Sequence, residues 1–459
     1  MSEISILDLE YFSSAKLQTC SGSQEIQITT VCKHTDHLSK AVFFLDERNL
    51  ISTANHPQLE GKIVISENST ILKTTNPKKT WAEMASIAFP QQPNFIALIT
   101  GTDGKTSTAW ITFQTWKSLN IKAGYIGTLG IYLHDQKFEN KLTTPDAATL
   151  HYFLNQMKIA NIEHVVIEAS SIGLDQERLS FVKADIAIFT SFASDHLDYH
   201  NTKEKYLESK LKIINNLKDK KDLIVHSDVA KHIPFNCLTY GINSEFNSEY
   251  INQKWKFSIK NQIFYVKNKL IGDFNGDNML GAYFVLKKSG LTNTDIFESF
   301  NKLETVPGRI NLVFDGEYSI FVDFAHTEHA LLTVLTALKQ QYENISLVFG
   351  CGGNRDKGKR QKMGAIAQQM CNSVIICNDN PRNEDPLQIA LEIASNCSKA
   401  QIILDRKEAI KYAIKNLSKG DVLLVSGKGD ERTQIIGDKV EEFHDATEIN
   451  KIITYEINQ

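Results

Sequence analysis

The residue types and spacing of a phosphate-binding loop occur at Gly101, Gly104, Lys105 and Thr106, directly after an apolar strand-like run. In such a loop, backbone N–H groups and the positive end of the next helix surround an anion. The Lys105 ammonium would reach the terminal phosphates, and the Thr106 hydroxyl would be a ligand of Mg²⁺. The full consensus has a further glycine where Ile99 stands, so the match is to a shortened variant. An ordinary corner between a strand and a helix is the alternative interpretation.

Acidic and imidazole side chains follow two other apolar runs. Glu168 lies in the run 164–171, and His196 belongs to a polar cluster that follows the run 185–190. Ligands collect at the carboxyl ends of strands in open parallel sheets, so Glu168 would face a nucleotide-bound metal ion. Histidine and carboxylates can together complete a metal shell. A surface or capping role for Glu168 and a solvated loop around His196 remain open.

Alternating strand-like and helix-like segments must position these residues. The alternation runs from residue 94 to about 304 and resumes after 306–309, which predicts two doubly wound α/β sheets. In the second half, the loops after the strands are rich in charge and glycine and would handle anions and zwitterions. These loops are 351–360, 378–386 and 427–431.

Composition narrows the class of protein. A chain of 459 residues suggests two to four domains, and 42% hydrophobic with 23% charged residues is ordinary for globular proteins. A net charge of -4 provides no general attraction to nucleic acid or anionic lipid. Seven scattered cysteines without a C-x-x-C spacing predict free thiols in a reducing compartment. Without a basic signal region or a membrane-spanning apolar run, the sequence predicts a cytoplasmic protein that binds neither membrane nor nucleic acid.

The ordered set of motifs resembles the Mur ligases, ATP-dependent enzymes that form amide bonds in peptidoglycan synthesis. The resemblance extends from about residue 96 to 445, and within the family it is strongest to the branch that adds the third residue of the stem peptide. It rests on the segments 101–106, 143–146, 168–171 with 174–178, 195–200, 308–309, 323–327, 350–360, 379–382 and 427–429.

This resemblance implies three domains. Residues 1–90 would form a divergent amino-terminal domain for the UDP end of the substrate. Residues 91–305 would form the central ATP-binding domain with the phosphate loop, and residues 306–459 a Rossmann-like domain for the incoming amino acid. The family also implies ATP and Mg²⁺ as cofactors, a UDP-sugar peptide and an amino acid as small-molecule substrates, and a monomer.

The resemblance also implies the roles of individual residues. Lys105, Glu168, His196 and Lys210 would be catalytic, and Lys210 would be carbamoylated to N6-carboxylysine so that it can bridge a second Mg²⁺. The other expected metal ligands are Thr106, Glu168 and His196. ATP would be bound by Gly101, Thr102, Gly104, Lys105, Thr106, Ser107, Asn278, Arg309, Asp323 and His326. The UDP-sugar peptide would be bound by Thr143, Thr144, Ser170, Gln176 and Arg178, and the amino acid by Arg355, Asp379, Asn380, Arg382, Gly427 and Glu431.

The segment 379–382 is similar to the loop of family members that add meso-diaminopimelate, in which an arginine pairs with the distal carboxylate. A guanidinium at Arg382 would form two parallel hydrogen bonds with that carboxylate and would repel the distal ammonium of lysine. The implied reaction joins meso-diaminopimelate to UDP-N-acetylmuramoyl-L-alanyl-D-glutamate through an acyl phosphate and gives ADP and phosphate.

Several departures from the family pattern leave alternatives open. Asp103, Ile172 and Asp430 stand where the family commonly has asparagine, histidine and histidine, and the segment 30–35 replaces an Asp-Ser-Arg uridine motif. The alternatives are a ligase that adds L-lysine, a ligase for a carboxylate without a UDP group, a folylpolyglutamate synthetase, and a homologue retained as a non-catalytic scaffold.

Overall fold

The computed structural model describes six short amino-terminal strands and then residues 77–140, 142–193 and 195–457. These strands are β1 (Ala15–Gln18), β2 (Glu25–Ile28), β3 (Val31–Cys32), β4 (Val42–Phe44), β5 (Lys62–Ile65) and β6 (Thr70–Lys73). β1 pairs with β2, and the other four form one sheet in the order β3-β4-β5-β6. Most of the predicted UDP-binding domain 1–90 lies outside the described residues, including all of the segment 30–35 except β3. Its role therefore stays a prediction.

The chain divides into two compact units, and the first comprises residues 1–248, 256–266 and 277–300. Its main sheet has eight strands: β7 (Phe95–Thr100), β8 (Ala123–Gly127), β9 (Gly130–Leu133), β10 (Gln136–Phe138), β11 (His164–Glu168), β12 (Ile186–Phe189), β13 (Leu223–His226) and β14 (Leu238–Tyr240). Their order is β10-β9-β8-β11-β7-β12-β13-β14. The strands from β8 to β14 in this order run parallel, and β9 and β10 are antiparallel at one edge.

β7 lies near the middle of this sheet, between β11 and β12. Its residues from Ile96 to Ile99 are at most 1% exposed. A parallel strand covered by helices on both faces has no polar face, which explains why this segment is a continuous apolar run instead of an alternating one. The phosphate loop therefore starts from a buried strand in the interior of the sheet.

Helices and a small second sheet complete this part of the chain. The helices are α1 (Pro77–Ala88), α2 (Lys105–Ser118), α3 (Ala147–Ile159), α4 (Ser171–Asp175), α5 (Leu197–His200), α6 (Lys203–Leu211), α7 (Ser227–Ala230), α8 (Phe274–Lys288) and α9 (Asn293–Phe300). The small sheet contains β15 (Phe246–Ile251), β16 (Lys254–Ile259) and β17 (Gln262–Val266) in that order.

The start of α8 differs from the sequence expectation. The segment 273–278 was expected to cap a helix over 279–289, but α8 already begins at Phe274. Gly272 has φ 93°, and the Asn275 side chain donates a 2.8 Å hydrogen bond to the carbonyl of Ile271. The left-handed turn at Gly272 and this amide start the helix one turn earlier than the asparagine pattern indicated.

The second unit comprises residues 249–255, 267–276 and 301–459. Its sheet contains β18 (Asn311–Asp315), β19 (Ser319–Asp323), β20 (Ile345–Phe349), β21 (Ser373–Ile376), β22 (Ala400–Ile402) and β23 (Val422–Ser426). The order is β18-β19-β23-β20-β21-β22, in which β18 is antiparallel and the other strands are parallel. The remaining elements are α10 (Glu328–Lys339), α11 (Gly358–Met370), α12 (Pro386–Ala394), α13 (Arg406–Lys415), the hairpin β24 (Thr433–Ile436) and β25 (Lys439–Glu442), and α14 (Asp445–Ile457).

The predicted fold class, α/β with large doubly wound sheets, is confirmed. In both units the loops with the predicted site residues follow the carboxyl ends of parallel strands, where open sheets bind their ligands. Within the described chain, each helix is too short or too polar to traverse a lipid bilayer.

Candidate active site

The predicted phosphate loop connects β7 to α2 through two glycines with positive φ, 147° at Gly101 and 83° at Gly104. A Cβ atom on Gly101 would lie 1.9 Å from Oγ1 of Thr190, and a Cβ on Gly104 would lie 2.6 Å from Oδ1 of Asn278. Thr190 donates a 2.5 Å hydrogen bond to the carbonyl of Asp103. The loop therefore packs closely on the end of β12, and only glycine fits at both turns.

Thr106 and Glu168 are in direct contact. The Thr106 hydroxyl, in the first turn of α2, donates a 2.8 Å hydrogen bond to Oε2 of Glu168 at the end of β11. Glu168 is fully buried, and Oε1 accepts hydrogen bonds of 2.5 Å from the Tyr125 hydroxyl and 3.0 Å from the Thr128 amide. The Thr128 hydroxyl donates to Oε2 at 3.1 Å. These donors hold the carboxylate in one orientation beside the phosphate loop.

Lys105 and Lys210 share one backbone acceptor. Nζ of Lys105 donates to the carbonyls of Gly101 at 2.9 Å and Thr102 at 2.8 Å, and Nζ of Lys210 donates to the Gly101 carbonyl at 2.6 Å. Lys210 is 1% exposed. Burial, and then repulsion by Lys105, hold the pKa of the Lys210 ammonium well below its ordinary value. Both effects therefore disfavour the charged ammonium form of Lys210.

His196 lies on the exposed side of the same region. It has φ 51°, its side chain is 49% exposed, and its Nε2 is 3.5 Å from a carboxylate oxygen of Asp195. Its ring packs edge-on against Tyr206 with centroids 6.4 Å apart. Tyr206 in turn donates to Thr102 and lies 4.6 Å from Nζ of Lys210. His196 thus borders the loop through Tyr206, and its metal-binding role stays a prediction.

The second histidine of this polar cluster has a structural position. His200 is 4% exposed, and its two ring nitrogens lie 3.0 Å from the Ser171 hydroxyl and 3.2 Å from the Ser209 hydroxyl. Both nitrogens are therefore engaged inside the protein. Within the described chain, three or more His, Cys, Asp or Glu side chains nowhere group closely enough to hold a metal ion by themselves.

Three further residues that were predicted to bind ATP line the loop. Thr102 exchanges hydrogen bonds with the backbone of Ala193, accepting from its amide at 2.9 Å and donating to its carbonyl at 3.2 Å. Ser107 is buried in the first turn of α2. Asn278 packs against Gly104 and accepts a 3.4 Å hydrogen bond from Thr108. Asn278 thus supports the loop, and its expected contact with adenine stays a prediction.

The five residues predicted to bind the UDP-sugar peptide form one connected group beside Glu168. Thr144 donates to the carbonyl of Glu168 at 2.7 Å, and its hydroxyl is 3.0 Å from that of Ser170. Arg178 donates to the Thr144 carbonyl at 2.7 Å and to Oε1 of Gln176 at 2.6 Å. The fifth hydroxyl, that of Thr143, is 3.1 Å from the Thr128 hydroxyl. The structure brings all five together, and their ligand remains to be tested.

In the second unit, Arg309, Asp323 and His326 lie together near the end of β19. The guanidinium of Arg309 stacks 4.5 Å from the ring centroid of Phe324. The backbone carbonyl of Phe324 accepts a 2.9 Å hydrogen bond from Nδ1 of His326. Asp323 accepts hydrogen bonds of 2.6 Å from the amides of Ile310 and Ala325. Burial raises the pKa of Asp323, and Arg309 opposes that rise. Asp323 thus braces the turn, and the roles of all three toward ATP stay predictions.

Among the predicted amino-acid-binding residues, Asn380 and Glu431 meet at Lys428. Nζ of this fully buried lysine donates to Asn380 at 3.2 Å, to Glu431 at 3.1 Å and to the carbonyl of Thr433 at 2.7 Å. Asn380 also donates to Glu431 at 3.1 Å. The neighbouring Gly427 has φ 115°, and a Cβ there would lie 2.8 Å from a carboxylate oxygen of Asp379.

The two predicted arginines lie on loops that touch each other. Nη1 of Arg382 donates to the carbonyl of Gly353 at 2.9 Å, while the side chain as a whole is half-buried. Arg355 is exposed on the neighbouring loop, where Gly352 separates the two side chains. The structure thus brings both cations to the same edge of the sheet, and their roles toward an amino acid stay predictions.

The structure shows the surroundings of two residues that depart from the family pattern, Asp103 and Asp430. Asp103 is exposed, and its amide donates to the Ser191 hydroxyl at 2.8 Å. Asp430, which replaces the family's histidine, lies 3.2 Å from Nε2 of His444, whose other ring nitrogen is 2.8 Å from Thr447. A histidine from the start of α14 therefore reaches the loop in which the sequence lacks one.

The sequence did not single out four residues that support these groups: Tyr125, Thr128, Tyr206 and Lys428. Thr128 follows directly after β8, so the strand-end rule that selected Glu168 could also have found it. The other three are buried and are ordinary in type, and only tertiary structure reveals what they contact.

Comparisons with known proteins agree with this geometry. Residues 99–286 match the Mur ligase middle domain, and residues 308–429 match the Mur ligase, glutamate ligase domain. The chain is 40% identical over 400 residues to the UDP-N-acetylmuramoyl-L-alanyl-D-glutamate--2,6-diaminopimelate ligase of Rickettsia montanensis, covering 81% of this chain and 82% of that one.

Solved structures extend the comparison to three dimensions. A structure of a UDP-N-acetylmuramoyl-L-alanyl-D-glutamate--2,6-diaminopimelate ligase is 30% identical with a TM-score of 0.59, covering 84% of this chain and 82% of that chain. The MurF ligase from Thermotoga maritima, solved in complex with ADP, has a TM-score of 0.58 at 18% identity and covers 86% of this chain and 87% of its own. The second likeness concerns the fold alone.

Proposed function

The chain belongs to the Mur ligase family, and we propose that it joins meso-diaminopimelate to UDP-N-acetylmuramoyl-L-alanyl-D-glutamate while ATP is converted to ADP and phosphate. The observation that carries the proposal is the hydrogen bond between Thr106 and Glu168. The contact supports the proposal because a phosphate-loop hydroxyl and a buried carboxylate this close together would both reach one nucleotide-bound metal ion. The choice of substrates is supported by the 40% identical relative from Rickettsia montanensis, which is named as a ligase for these two substrates.

The donor atoms at this position fit Mg²⁺, which prefers oxygen ligands and takes one or two carboxylates beside substrate phosphates. Thr106 and Glu168 would hold the ion, and His196 would complete the shell. An ion held by these residues would supply positive charge to offset the charge that develops on the transferred phosphoryl group. Tyr125 and Thr128 fix Glu168 in advance, so its orientation costs little reorganisation during the reaction.

The reaction has two steps. The substrate carboxylate oxygen attacks the γ-phosphorus of ATP, so an acyl phosphate forms and ADP leaves. The amine nitrogen then attacks the acyl carbon, phosphate leaves, and the nitrogen loses a proton to give the amide. Lys105 would exchange the carbonyls of Gly101 and Thr102 for phosphate oxygens and thereby stabilise the charge of the first step.

Lys210 would act as a carbamate. Its lowered pKa favours the neutral amine, whose nitrogen lone pair would attack dissolved CO₂ to form the N–C bond while the nitrogen loses one proton. The product is an anion at the position where the ammonium now donates to the Gly101 carbonyl. A negative charge there would bind a second Mg²⁺ and would pair with the Lys105 ammonium. The unmodified Lys210 ammonium instead repels the Lys105 ammonium.

The two organic substrates would be bound by different groups of residues. Thr143, Thr144, Ser170, Gln176 and Arg178 would hold the peptide end of the UDP-sugar, since their connected hydrogen bonds adjoin Glu168. The amino acid would bind at the loops with Arg355, Asp379, Asn380, Arg382, Gly427 and Glu431. Arg382 would pair with the distal carboxylate of meso-diaminopimelate through two hydrogen bonds.

The proposal is tested by measuring ADP release from ATP and Mg²⁺ with a panel of amino acids. We expect release that depends on both UDP-N-acetylmuramoyl-L-alanyl-D-glutamate and meso-diaminopimelate, with an amide product of the matching mass. Equal turnover with L-lysine would contradict the assignment of meso-diaminopimelate. Turnover with a carboxylate substrate that lacks UDP would contradict the assignment of the UDP-sugar peptide. Binding of ATP without turnover on any pair would make the chain a non-catalytic member of the family.

A further inference from the structure

The two loops that carry Arg355 and Arg382 interlock through their backbones. The Gly353 amide donates a 2.9 Å hydrogen bond to the carbonyl of Asn380. A Cβ on Gly353 would lie 1.9 Å from the carbonyl oxygen of Pro381. The position of either loop therefore depends directly on the position of the other.

Arg382 depends on this contact for its orientation. It has φ 51°, which is an uncommon conformation for a residue other than glycine, and its Nη1 donates to the carbonyl of Gly353. Its amide donates to Ile435 at 3.1 Å, and its carbonyl accepts from Gly437 at 2.8 Å. The backbone is thus held by the hairpin, while the guanidinium is directed by the facing loop.

Glu384 ties the two loops together. Its Oε1 accepts a 2.5 Å hydrogen bond from the amide of Asn354 on the first loop. Its Oε2 lies 3.0 Å from Nη2 of Arg360 and 3.3 Å from Nζ of Lys357. The Asn354 amide and the Arg360 guanidinium lower the pKa of Glu384, so it is an anion in neutral solution.

Arg360 is fully buried at the start of α11 and pairs with two carboxylates. Its Nη2 binds Glu384, and its Nη1 donates to Glu392 on α12 at 2.8 Å. A buried guanidinium is costly unless it is paired, and separation of the loops would remove one of the two carboxylates that compensate this charge. The ion pair therefore favours one arrangement of the loops.

We propose that Glu384, held by Arg360, is a positioning residue that sets where the guanidinium of Arg382 meets the distal carboxylate of the incoming amino acid. The inference rests on the proposed function. Two parallel hydrogen bonds between a guanidinium and a carboxylate require a narrow geometry, and a displacement of about 1 Å can reduce a rate by about 100-fold. Glu384 and Arg360 would not themselves contact the substrate.

The test compares Glu384→Gln with Glu392→Gln. Both substitutions remove one carboxylate partner of Arg360, but only the first residue bonds the loop of Asn354. We expect Glu384→Gln to raise the KM for meso-diaminopimelate about tenfold while the KM values for ATP and for the UDP-sugar peptide stay within about twofold. Glu392→Gln should leave all three KM values within about twofold.

A second variant distinguishes positioning from a general loss of stability. In an Arg382→Ala background, Glu384→Gln should raise the KM for meso-diaminopimelate no further, since the group that it positions is gone. Hydrogen exchange of the segment 350–356, measured on the folded chain, should accelerate in Glu384→Gln and stay unchanged in Glu392→Gln. This exchange reports on the loop whether or not the chain turns over.

The inference is overturned if the two glutamine variants alter KM and exchange equally, or if the effect of Glu384→Gln persists undiminished without Arg382. Failure of the proposed function gives a different result, since wild-type chain would then not use meso-diaminopimelate. In that case the same variants are measured with the amino acid that the panel identifies.

Discussion

The hydroxyl of Thr106 lies 2.8 Å from the carboxylate of Glu168, although 62 positions separate the two residues in the chain. The contact joins the first turn of α2 to the end of β11, and the parallel pairing of β11 with β7 produces it. The fold therefore brings the phosphate-loop hydroxyl and the buried carboxylate into direct contact.

Glu168→Gln should reduce kcat about 10²–10³-fold, because the amide keeps the volume but removes the negative charge that would hold Mg²⁺. The measurement is steady-state ADP release at saturating substrates. Glu163→Gln is the matched control, since Glu163 lies just before the opposite end of β11 and pairs with Lys158 near the surface. A Glu168→Gln enzyme with wild-type kcat would exclude the carboxylate from the reaction.

Lys210→Ala should reduce kcat about 100-fold, and acetate or formate should restore part of the activity by supplying a carboxylate in the vacated space. In wild-type protein, added bicarbonate should increase activity. This activation should not weaken as pH rises, because the carbamate forms from the neutral amine, which burial and Lys105 favour. Lys205→Ala on the exposed face of α6 is the control. Insensitivity to both bicarbonate and short carboxylic acids would show that Lys210 acts unmodified.

Arg382→Ala should raise the KM for meso-diaminopimelate about 10–100-fold, since a hydrogen bond to a charged group contributes about 1.5–3 kcal/mol. The KM for L-lysine, which lacks the distal carboxylate, should change much less. The exposed Arg432→Ala removes a guanidinium elsewhere in the same unit and serves as the control. If the KM for meso-diaminopimelate is unchanged in Arg382→Ala, the substrate assignment should be dropped.

Gly101→Ala should weaken ATP binding by more than about tenfold, because the added methyl group would displace Thr190 and with it the phosphate loop. Gly290→Ala is a close control: its φ is 99°, but nothing lies within 4 Å of the added Cβ. That control should cost about 1–2 kcal/mol of stability from backbone strain and leave ATP affinity unchanged. Titration calorimetry and a denaturant midpoint measure both quantities, and equal effects of the two variants would contradict the clash.

Because of His151, the free energy of unfolding of the first unit should decrease in acid. It is fully buried, and burial lowers its pKa to about 4, although a hydrogen bond to the carbonyl of Ser180 opposes the shift. The unfolded chain, with a histidine pKa near 6.5, binds the additional proton between these values, so the free energy of unfolding falls as pH decreases from about 6.5 to 4. At about 1.4 kcal/mol per pH unit, the loss approaches about 3 kcal/mol.

His151→Gln should flatten this part of the pH profile, since the amide still donates to Ser180 but does not titrate. Denaturant midpoints at pH 7, 5.5 and 4.5 measure the difference. His329→Gln, on the exposed face of α10, should retain the wild-type slope. An unchanged slope in His151→Gln would mean that other groups set the acid sensitivity.

The sequence predicts the phosphate loop and Glu168 because both follow local rules. An apolar run, two glycines and a lysine define the loop, and an acid at the end of a buried strand is placed by parallel topology alone. The family prediction and the α/β fold class are confirmed by the domain matches and by the solved relatives. The division into three domains and the individual site roles stay predictions.

Other features depend on contacts between distant segments and were not predictable from local pattern. Tyr125 contacts Glu168 only because β8 and β11 pair, and nothing in its own neighbourhood indicates this. Arg360 belongs to a charged loop by composition, yet its side chain is buried between Glu384 and Glu392. His444 lies 14 positions after Asp430 in the chain, so the residues next to Asp430 in the sequence give no sign of this contact.

The close seating of Gly353 on Pro381 constrains how this enzyme could evolve or be engineered. Since the two backbones are in contact, inserting or deleting a residue in one loop would force a compensating change in the other. A new amino-acid specificity is therefore more accessible through exchange of side chains at fixed loop length than through grafting of a loop from another ligase.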